Sequence, residues 1–307
     1  MQIPSCVILC SACLLAAARA EPGTPSVPIP PAAFAIPCTA TPINIDGLLD
    51  EPCWQAAVPV RADYVFGHTN ELDSVRHMAV RVLCDDRYLY LGYETFDTNL
   101  VAVGSGRIEA SREGLEIAQP GVPVDVAEFF VSLGDRHFFW ELHHNASNQF
   151  NDIWITTLDP AWPIAQSALY PYGIIFSPES TLTADRDATP AMAVHLKPKA
   201  NGAPSTVNDG RDMDTGYTAE LRLPWYSLGV PAARRLSPRV LAGKPDPTAA
   251  ARWNVAGLEV RLLSVVQDGD RQQRYHHSSA TFPGGWFHLG WDHWPLYRVT
   301  APATVGL

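Results

Sequence analysis

One stretch of the sequence, residues 125–154 (DVAEFFVSLGDRHFFWELHHNASNQFNDIW), constrains the fold more than any other. Its apolar pattern predicts two β-strands, Val126 to Leu133 and His137 to His144, joined by a polar turn at Leu133–Arg136. A loop dense in amide, imidazole and carboxylate groups follows, and it leads into a short aromatic strand. Strand positions that change abruptly from apolar to acidic and imidazole side chains indicate a sheet that carries a polar site.

Composition favours an all-β fold around this predicted hairpin. The 27 Pro and 21 Gly are spread along 307 residues, which suits many short strands joined by long loops. With 47% hydrophobic and 10% aromatic residues, the composition is that of a globular protein with a sizeable core. We predict an antiparallel β-sandwich, jelly-roll-like and immunoglobulin-like in layering, with long loops and a few short helical turns.

Charge excludes one class of function. The formal net charge is −10, and no cluster of four or more Lys or Arg residues occurs. Nucleic-acid binding requires a basic face that neutralises phosphates, so a nucleic-acid partner is not expected. An acidic surface is compatible with a neutral ligand such as a sugar, and we expect a monomer.

The N-terminal sequence divides the chain into three parts. Residues 1–20 are typical of a secretory signal peptide, with an apolar run too short to span a membrane and a final Ala-Arg-Ala. Residues 21–37 are Pro-rich and predict an extended tether without packed structure. Residues 38–302 form a single predicted β-sandwich domain. No later segment approaches 18 uninterrupted apolar residues, so no membrane span is expected.

Three cysteines, Cys38, Cys53 and Cys84, remain once the predicted signal is removed. An odd number leaves at least one thiol unpaired. Cys84 lies in an alternating strand, which predicts a buried free thiol, and a Cys38–Cys53 bridge is an alternative in an oxidising compartment. The spacing lacks a CxxC pair, so it does not indicate a zinc site.

Strand alternation places part of the polar stretch on one face of the predicted sheet. Glu141, His143 and Asn145 share one parity, while Leu142 and His144 have the other. Glu128 lies on the partner strand, within reach of this polar face. Side chains of this kind can direct several charge-assisted hydrogen bonds at one sugar ring.

Plainer interpretations of the same residues stay open. Glu128 and Glu141 could be carboxylates solvated at strand ends, and paired histidines are common on protein surfaces. Three further polar side chains could simply cap a long loop through backbone hydrogen bonds: Asn145, Asn148 and Asp152.

Several segments, in order along residues 43–300, resemble carbohydrate-binding module family 9. The pattern IDG-x-LDE-x-x-W-x-x-A ends at Ala57, and a double-acid turn precedes a Tyr-Leu-Tyr strand. Later segments match the family's D-x-x-E strand, its E-x-x-x-N-x-x-N loop ending in Asp, its G-Y-T-x-E strand and its aromatic closing segment. They contain these residues: Asp125, Glu128, Glu141, Asn145, Asn148, Asp152, Gly216, Glu220 and 283–299.

The resemblance implies a sugar site with an aromatic clamp above a polar floor. Trp286 follows Pro283-Gly284-Gly285 and occupies the region from which these modules draw a clamp residue. The second clamp position, just before Asp125, has no aromatic residue, and Trp154 and Trp162 are alternatives for that face. His143 stands where these modules place an Arg. The resemblance therefore implies that the sugar-binding site is formed by these residues: Glu128, Asn145, His143, Trp286, Asn148, Asp125, Glu141, Asp152 and Trp154.

A structural Ca²⁺ is also implied by the resemblance. Acidic residues cluster at two places, Asp46, Asp50 and Glu51, and Asp85 and Asp86. Neither cluster has the spacing of a dedicated calcium loop.

These observations predict a secreted, non-catalytic carbohydrate-binding protein of a bacterial periplasm or exterior. It would recognise a plant or microbial polysaccharide such as xylan or cellulose and assist its catabolism. Two alternatives stay open. Paired carboxylates could perform glycoside hydrolysis, and Met192 and His195 could ligate haem, although no C-x-x-C-H motif is present.

Overall fold

Two sheets make up the fold in the computed structural model, which describes residues 33–65, 72–73, 77–102, 125–134, 138–157, 172–176, 191–236, 240–241, 244–245, 252–269, 277–280 and 294–300. Within these ranges, nine strands form the large sheet and five form the small sheet. All pairings within the two sheets are antiparallel except that of the first and last strands. The predicted all-β sandwich is confirmed.

The strands are short and follow one another closely. In chain order they are β1 (Phe34–Ile36), β2 (Val60–Ala62), β3 (Tyr64–Val65), β4 (His77–Cys84), β5 (Tyr88–Phe96), β6 (Val126–Ser132), β7 (Phe138–His144), β8 (Phe150–Thr157), β9 (Tyr172–Phe176), β10 (Ala191–Leu196), β11 (Tyr217–Pro224), β12 (Val240–Leu241), β13 (Lys244–Pro245), β14 (Glu259–Asp268), β15 (His277–Ala280) and β16 (Leu296–Val299). Short 3₁₀ turns occur at Pro52–Ala56 and Ala232–Arg234. Among the described residues, no helix has the length and hydropathy that a membrane span requires.

The large sheet runs in the order β1-β16-β14-β6-β7-β8-β9, and β15 and β3 extend it beside β14. The small sheet runs β10-β11-β5-β4-β2. The predicted hairpin forms the middle of the large sheet, because β6 pairs with β7 and β7 pairs with β8. Its strands end close to the predicted bounds.

The core lies between the two sheets and follows the period of two expected for strands. The large sheet contributes alternate residues such as Phe129, Trp140 and Leu142, and the small sheet contributes Leu91 and Leu221. Alternate strand residues on the other parity therefore lie on the outer faces of the two sheets.

The outer face of the small sheet is covered by the segment that carries the IDG-x-LDE pattern. Trp54 is buried there, and its ring occupies the space left by Gly92, where an added Cβ would come within 2.7 Å of the ring. Gly47 has φ of +86°, and an added Cβ would lie 2.6 Å from the Val194 backbone. Glycine is required at both positions because this segment approaches the sheet too closely to leave room for a Cβ atom.

Glu220 holds this covering segment in place. Its Oε2 accepts hydrogen bonds from the backbone N–H groups of Asp46 (2.9 Å) and Gly47 (3.0 Å), and its Oε1 accepts from Trp54 Nε1 (3.0 Å). The alternation in β11 predicts a half-exposed strand, but Glu220 is fully buried. That expectation is wrong at Glu220 because residues 43–57 cover the face.

The tether prediction is wrong over its last residues. Phe34–Ile36 form β1, which pairs in parallel with β16, and Ile36 is fully buried. Phe34 and Ile36 alternate as strand residues do, and the Phe34 ring packs 5.2 Å from that of Tyr297. The predicted signal peptide and the first part of the tether lie outside the described residues.

The cysteines are arranged differently from the alternative of a Cys38–Cys53 bridge. All three are free thiols, and Cys84 is buried as predicted. Cys38 lies opposite Cys84, because the backbone beyond β1 runs alongside the end of β4. The alternative of a Cys38–Cys53 bridge is therefore not the arrangement found.

Candidate functional site

The candidate site lies on the outer face of the large sheet and is built from β6 and β7. Glu128 and His143 are directly opposed in the antiparallel register, and Glu141 is two residues before His143. Directly opposed residues share a face, so the three side chains converge. All three are buried, with exposed fractions of 4% for Glu128, 8% for Glu141 and 3% for His143. They are therefore not the solvated strand-end groups of the plainer interpretation. We refer to them as the outer triad.

A histidine between two carboxylates is the central feature of the outer triad. His143 Nε2 lies 2.9 Å from Glu141 Oε1 and 3.7 Å from Glu128 Oε1. Burial acts to lower the pKa of His143, but the hydrogen bond to Glu141 and the charges of Glu141 and Glu128 outweigh it. The pKa of His143 is therefore raised above its ordinary value, which favours an imidazolium.

The other ring nitrogen of His143 lacks a hydrogen-bond partner. Among the described residues, Nδ1 of His143 is buried and has no hydrogen-bond partner. Buried polar nitrogens are normally satisfied, and a ligand or an ordered water is one way to satisfy an orphan of this kind. In the imidazolium form both nitrogens donate, and Nδ1–H would point at an acceptor outside the triad.

Gln267 is a member of the site that the sequence did not single out. Its Nε2 donates to Glu128 Oε1, and β14 places it there by pairing with β6. The available signal was a polar residue directly after the mostly apolar run Leu262–Val266. That signal is weak without knowledge that β14 neighbours β6, since the two residues are 139 positions apart.

An aromatic cluster lies beside the outer triad. Phe130 is directly opposed to Glu141, and its ring centroid is 5.7 Å from that of Trp294. Phe139 packs against Trp294 with centroids 5.0 Å apart and planes at 85°. Trp294 is 1% exposed, so its ring is buried against these two phenylalanines.

Asn145 and Asn148 are placed in the turn that follows β7. Asn145 Oδ1 accepts from the backbone N–H groups of Ser147 (3.0 Å) and Gln149 (3.1 Å). Asn148 has φ of +56°, and its Oδ1 lies 2.8 Å from His144 Nε2. The Asn145 bonds are those of the capping interpretation, whereas Asn148 contacts the side chain of His144.

Asp125 is buried and holds two backbone segments together. Its Oδ1 accepts from Gly269 N–H (2.8 Å), and its Oδ2 accepts from Val101 N–H. Burial and the charge of Asp97 raise the pKa of Asp125 well above its ordinary value, although the two backbone bonds oppose this. Asp125 thus fixes the start of β6.

The remaining predicted residues are not described at side-chain level. Asp152 and Trp154 lie in β8, of which the backbone alone is described. Trp162 and Trp286 lie outside the described residues.

Of the two acidic clusters that the resemblance assigns to calcium, the pair Asp85 and Asp86 is engaged by protein donors. Asp85 accepts from the N–H groups of Arg87 and Tyr88 and from the Tyr90 hydroxyl, and Asp86 pairs with Arg252. Within the described ranges, converging groups of three metal-ligand side chains occur elsewhere, at the outer triad and at Asp97, Asp125 and Asp268. We therefore derive no calcium chemistry from the predicted clusters.

The outer triad also fits a metal poorly. A metal-bound histidine almost always donates its second ring N–H to a protein acceptor. Nδ1 of His143 has no such partner in the described part of the chain. A hydrogen-bonded imidazolium describes the group better.

Comparison with known proteins identifies the fold class. The sequence matches no protein-family model and no curated protein. A putative carbohydrate-binding protein from Bacteroides uniformis aligns with a TM-score of 0.51, at 13% identity, over 87% of this chain and 97% of that one. The chain therefore has the sandwich fold of that protein.

Solved structures of the family named in the sequence analysis are also similar. A carbohydrate binding module family 9 from Caldicellulosiruptor kristjanssonii aligns with a TM-score of 0.47 and 13% identity over 90% of this chain. The alignment covers 97% of the module in its cellotriose complex and 99% in its glucose complex.

Proposed function

We propose that the protein binds a carbohydrate at the outer triad without cleaving it. The observation that carries this proposal is the buried His143 between Glu128 and Glu141, with an orphan Nδ1. Sugar hydroxyls both donate and accept hydrogen bonds, so one ring can use carboxylate acceptors and an imidazolium donor together. The shared sandwich fold is compatible with this use of the sheet.

Preorganisation is the main advantage of this arrangement. The Glu128 carboxylate is held by Gln267 Nε2 and by the charge of His143, and Glu141 is held by His143 Nε2. Side chains fixed before binding lose little conformational entropy when the ligand arrives. The triad would therefore meet a ligand in one fixed geometry.

Trp286 is the aromatic face that we propose above this floor. The proposal rests on its position after Pro283-Gly284-Gly285. Aromatic rings cover the C–H-rich faces of pyranose rings, and they contribute a large buried area. The proposed ligand is an oligosaccharide or polysaccharide of plant or microbial origin, with cello- and xylo-oligosaccharides as first candidates, and the protein would be secreted to meet it.

The outer triad is a less suitable hydrolase site. Glycosidases need one carboxylate on each side of the scissile bond, with the anomeric carbon between them. Here His143 occupies the position between Glu128 and Glu141 and bonds to one of them at 2.9 Å. The haem alternative is disfavoured by β10, because Met192 packs against the core whereas His195, at the opposite parity, is exposed.

Calorimetry with defined glycans tests the proposal. A glycan array first selects ligands, and cello- and xylo-oligosaccharides are then titrated into the full chain. We expect Glu128→Gln and Trp286→Ala each to weaken binding at least about tenfold, which is the cost of about one lost charge-assisted bond or stacking face. Glu259→Gln, an exposed residue paired with Arg298, serves as the matched control and should bind normally.

Two results would contradict the proposal. One is absence of binding to every plant and microbial glycan at millimolar ligand. The other is hydrolysis of aryl glycosides that disappears in Glu128→Gln, which would make the protein an enzyme. A large fall in melting temperature in Trp286→Ala would show that this residue packs in the core instead of contacting sugar.

A further inference from the structure

Cys38 and Cys84 face each other at the junction of the two sheets. Their Sγ atoms are 3.2 Å apart, although the residues are 46 positions apart in sequence. Cys38 follows β1 of the large sheet, and Cys84 is the last residue of β4 in the small sheet. A bond between them would therefore join the two layers of the sandwich.

The backbone around the two cysteines is fixed in the arrangement that a bond requires. Cys38 and Cys84 form a parallel β-bridge, with Cys84 N–H donating to Pro37 O (3.1 Å) and Thr39 N–H donating to Cys84 O (2.7 Å). Neighbouring strands are about 4.8 Å apart. This spacing lies within the Cα separation of about 4.4–6.8 Å that disulfides tolerate. Only the side chains need to move for the sulfur atoms to reach bonding distance.

We propose that Cys38 and Cys84 are a disulfide-forming pair, oxidised by a disulfide-carrying oxidant and serving as a covalent staple between the sheets. Cys53 is then the thiol that stays unpaired among these three cysteines.

The two thiols differ in a way that sets the order of the reaction. Cys38 is half-buried and Cys84 is buried, so an oxidant reaches Cys38 first. The hydrogen bond from Cys84 lowers the pKa of Cys38, while the same bond and burial raise the pKa of Cys84. Cys38 is therefore the attacking thiolate and Cys84 the resolving thiol.

The chemistry balances as a thiol–disulfide exchange in two steps. The Cys38 thiolate attacks one sulfur of the oxidant's disulfide, forms a mixed disulfide and releases the oxidant's other thiolate. Cys84, after losing its proton, attacks Cys38 Sγ and displaces the remaining oxidant sulfur. The protein loses two electrons and two protons, and the oxidant becomes a dithiol or two thiols.

Mass spectrometry with oxidised glutathione as the oxidant tests the proposal. Trypsin cuts after Arg81 and Arg87 and releases Cys84 on a short peptide, but it leaves Cys38 and Cys53 together. A second cleavage at acidic residues separates them, because Asp46, Asp50 and Glu51 lie between. We expect a Cys38–Cys84 cross-linked peptide, two hydrogens lighter than the sum of its parts.

Matched variants separate the pair from the third cysteine. Cys53→Ser should form the same cross-link, whereas Cys38→Ser and Cys84→Ala should not. Oxidation should raise the melting temperature by roughly 5–10 °C in the wild type and in Cys53→Ser, because the staple restricts the unfolded chain. Addition of a dithiol reductant should reverse this gain.

Other outcomes would overturn the inference. A Cys38–Cys53 cross-link as the main product would show that a different pair is oxidised. A mixed disulfide with glutathione that persists at Cys38 would show that Cys84 cannot resolve it. An unchanged melting temperature of the cross-linked protein would refute the role as a staple. None of these results bears on sugar binding, so the two proposals fail independently.

Discussion

The outer faces of the two sheets each carry a buried acidic group, but the two groups are satisfied in different ways. On the small sheet, Glu220 receives three hydrogen bonds from residues 46–54 of the same chain. On the large sheet, Glu128 and Glu141 gather around His143, whose Nδ1 lacks a partner among the described residues. A carboxylate whose donors come from the chain has a structural role. We propose that the unpaired nitrogen of the outer triad is instead used by a ligand.

Removal of Glu220 should produce the largest effect on stability. In Glu220→Ala, three N–H donors lose their acceptor, and each unsatisfied buried donor costs about 1–3 kcal/mol. We expect the free energy of unfolding to fall by about 3 kcal/mol or more, measured by denaturant titration.

Glu259→Ala is the control for this change, because it breaks an exposed ion pair with Arg298 and should cost about 0–1 kcal/mol. If Glu220→Ala lowers the free energy of unfolding as little as Glu259→Ala does, Glu220 is not the anchor of residues 43–57. Those residues would then be held by their apolar contacts alone, and the contrast between the two sheets would fail.

The inner face of the large sheet should respond to acid through His144. Its Nδ1 lies 2.6 Å from the Tyr93 hydroxyl, and burial lowers its pKa to about 4. The unfolded chain, with an ordinary histidine pKa near 6.5, then binds the extra proton, so stability is lost as the pH falls from 6.5 towards 4. The expected contribution is up to roughly 3 kcal/mol by pH 4.

Unfolding measured between pH 7 and pH 4 checks this effect. His144→Gln should reduce the slope of stability against pH, while the exposed His195 gives a matched control in His195→Gln. Equal slopes in wild type and His144→Gln would mean that the buried imidazole does not oppose protonation.

His143, next to His144 in sequence but on the outer face, should respond in the opposite direction. The pKa of His143 is raised in the folded protein, so the folded state binds the proton more tightly than the unfolded chain does. The resulting stabilisation is complete below the pKa of the unfolded chain, near 6.5, and is lost as the pH rises through the pKa of the folded protein. We expect this to be the smallest of the three effects, because burial opposes the charges of Glu141 and Glu128.

Nuclear magnetic resonance titration of the two imidazoles measures the difference directly. His143 should titrate above His144, and Glu141→Gln should lower the midpoint of His143 while leaving that of His144 unchanged. A His143 midpoint that does not move in Glu141→Gln would show that the triad is not electrostatically coupled.

Much of the fold follows from local sequence patterns. The strands of the predicted hairpin, the buried thiol at Cys84 and the shared face of Glu141 and His143 all follow from a period of two. Glu128 follows as well, because a short turn fixes which residues of a hairpin oppose each other.

Other features depend on strands that are neighbours in space and distant in sequence. Gln267 reaches Glu128 because β14 pairs with β6, and Cys38 meets Cys84 because the chain beyond β1 runs along β4. Alternation cannot predict these partners, since it states which face a residue takes but not which strand lies beside it.

The sequence alone thus determined the layered all-β architecture and the polar face of the hairpin, because alternation and turn chemistry are local properties. Only the tertiary structure decided that Glu220 is a buried anchor while Glu128, Glu141 and His143 form a site with an unpaired nitrogen. The physical reason is that burial and hydrogen-bond satisfaction depend on what covers each face, and that covering comes from segments far along the chain.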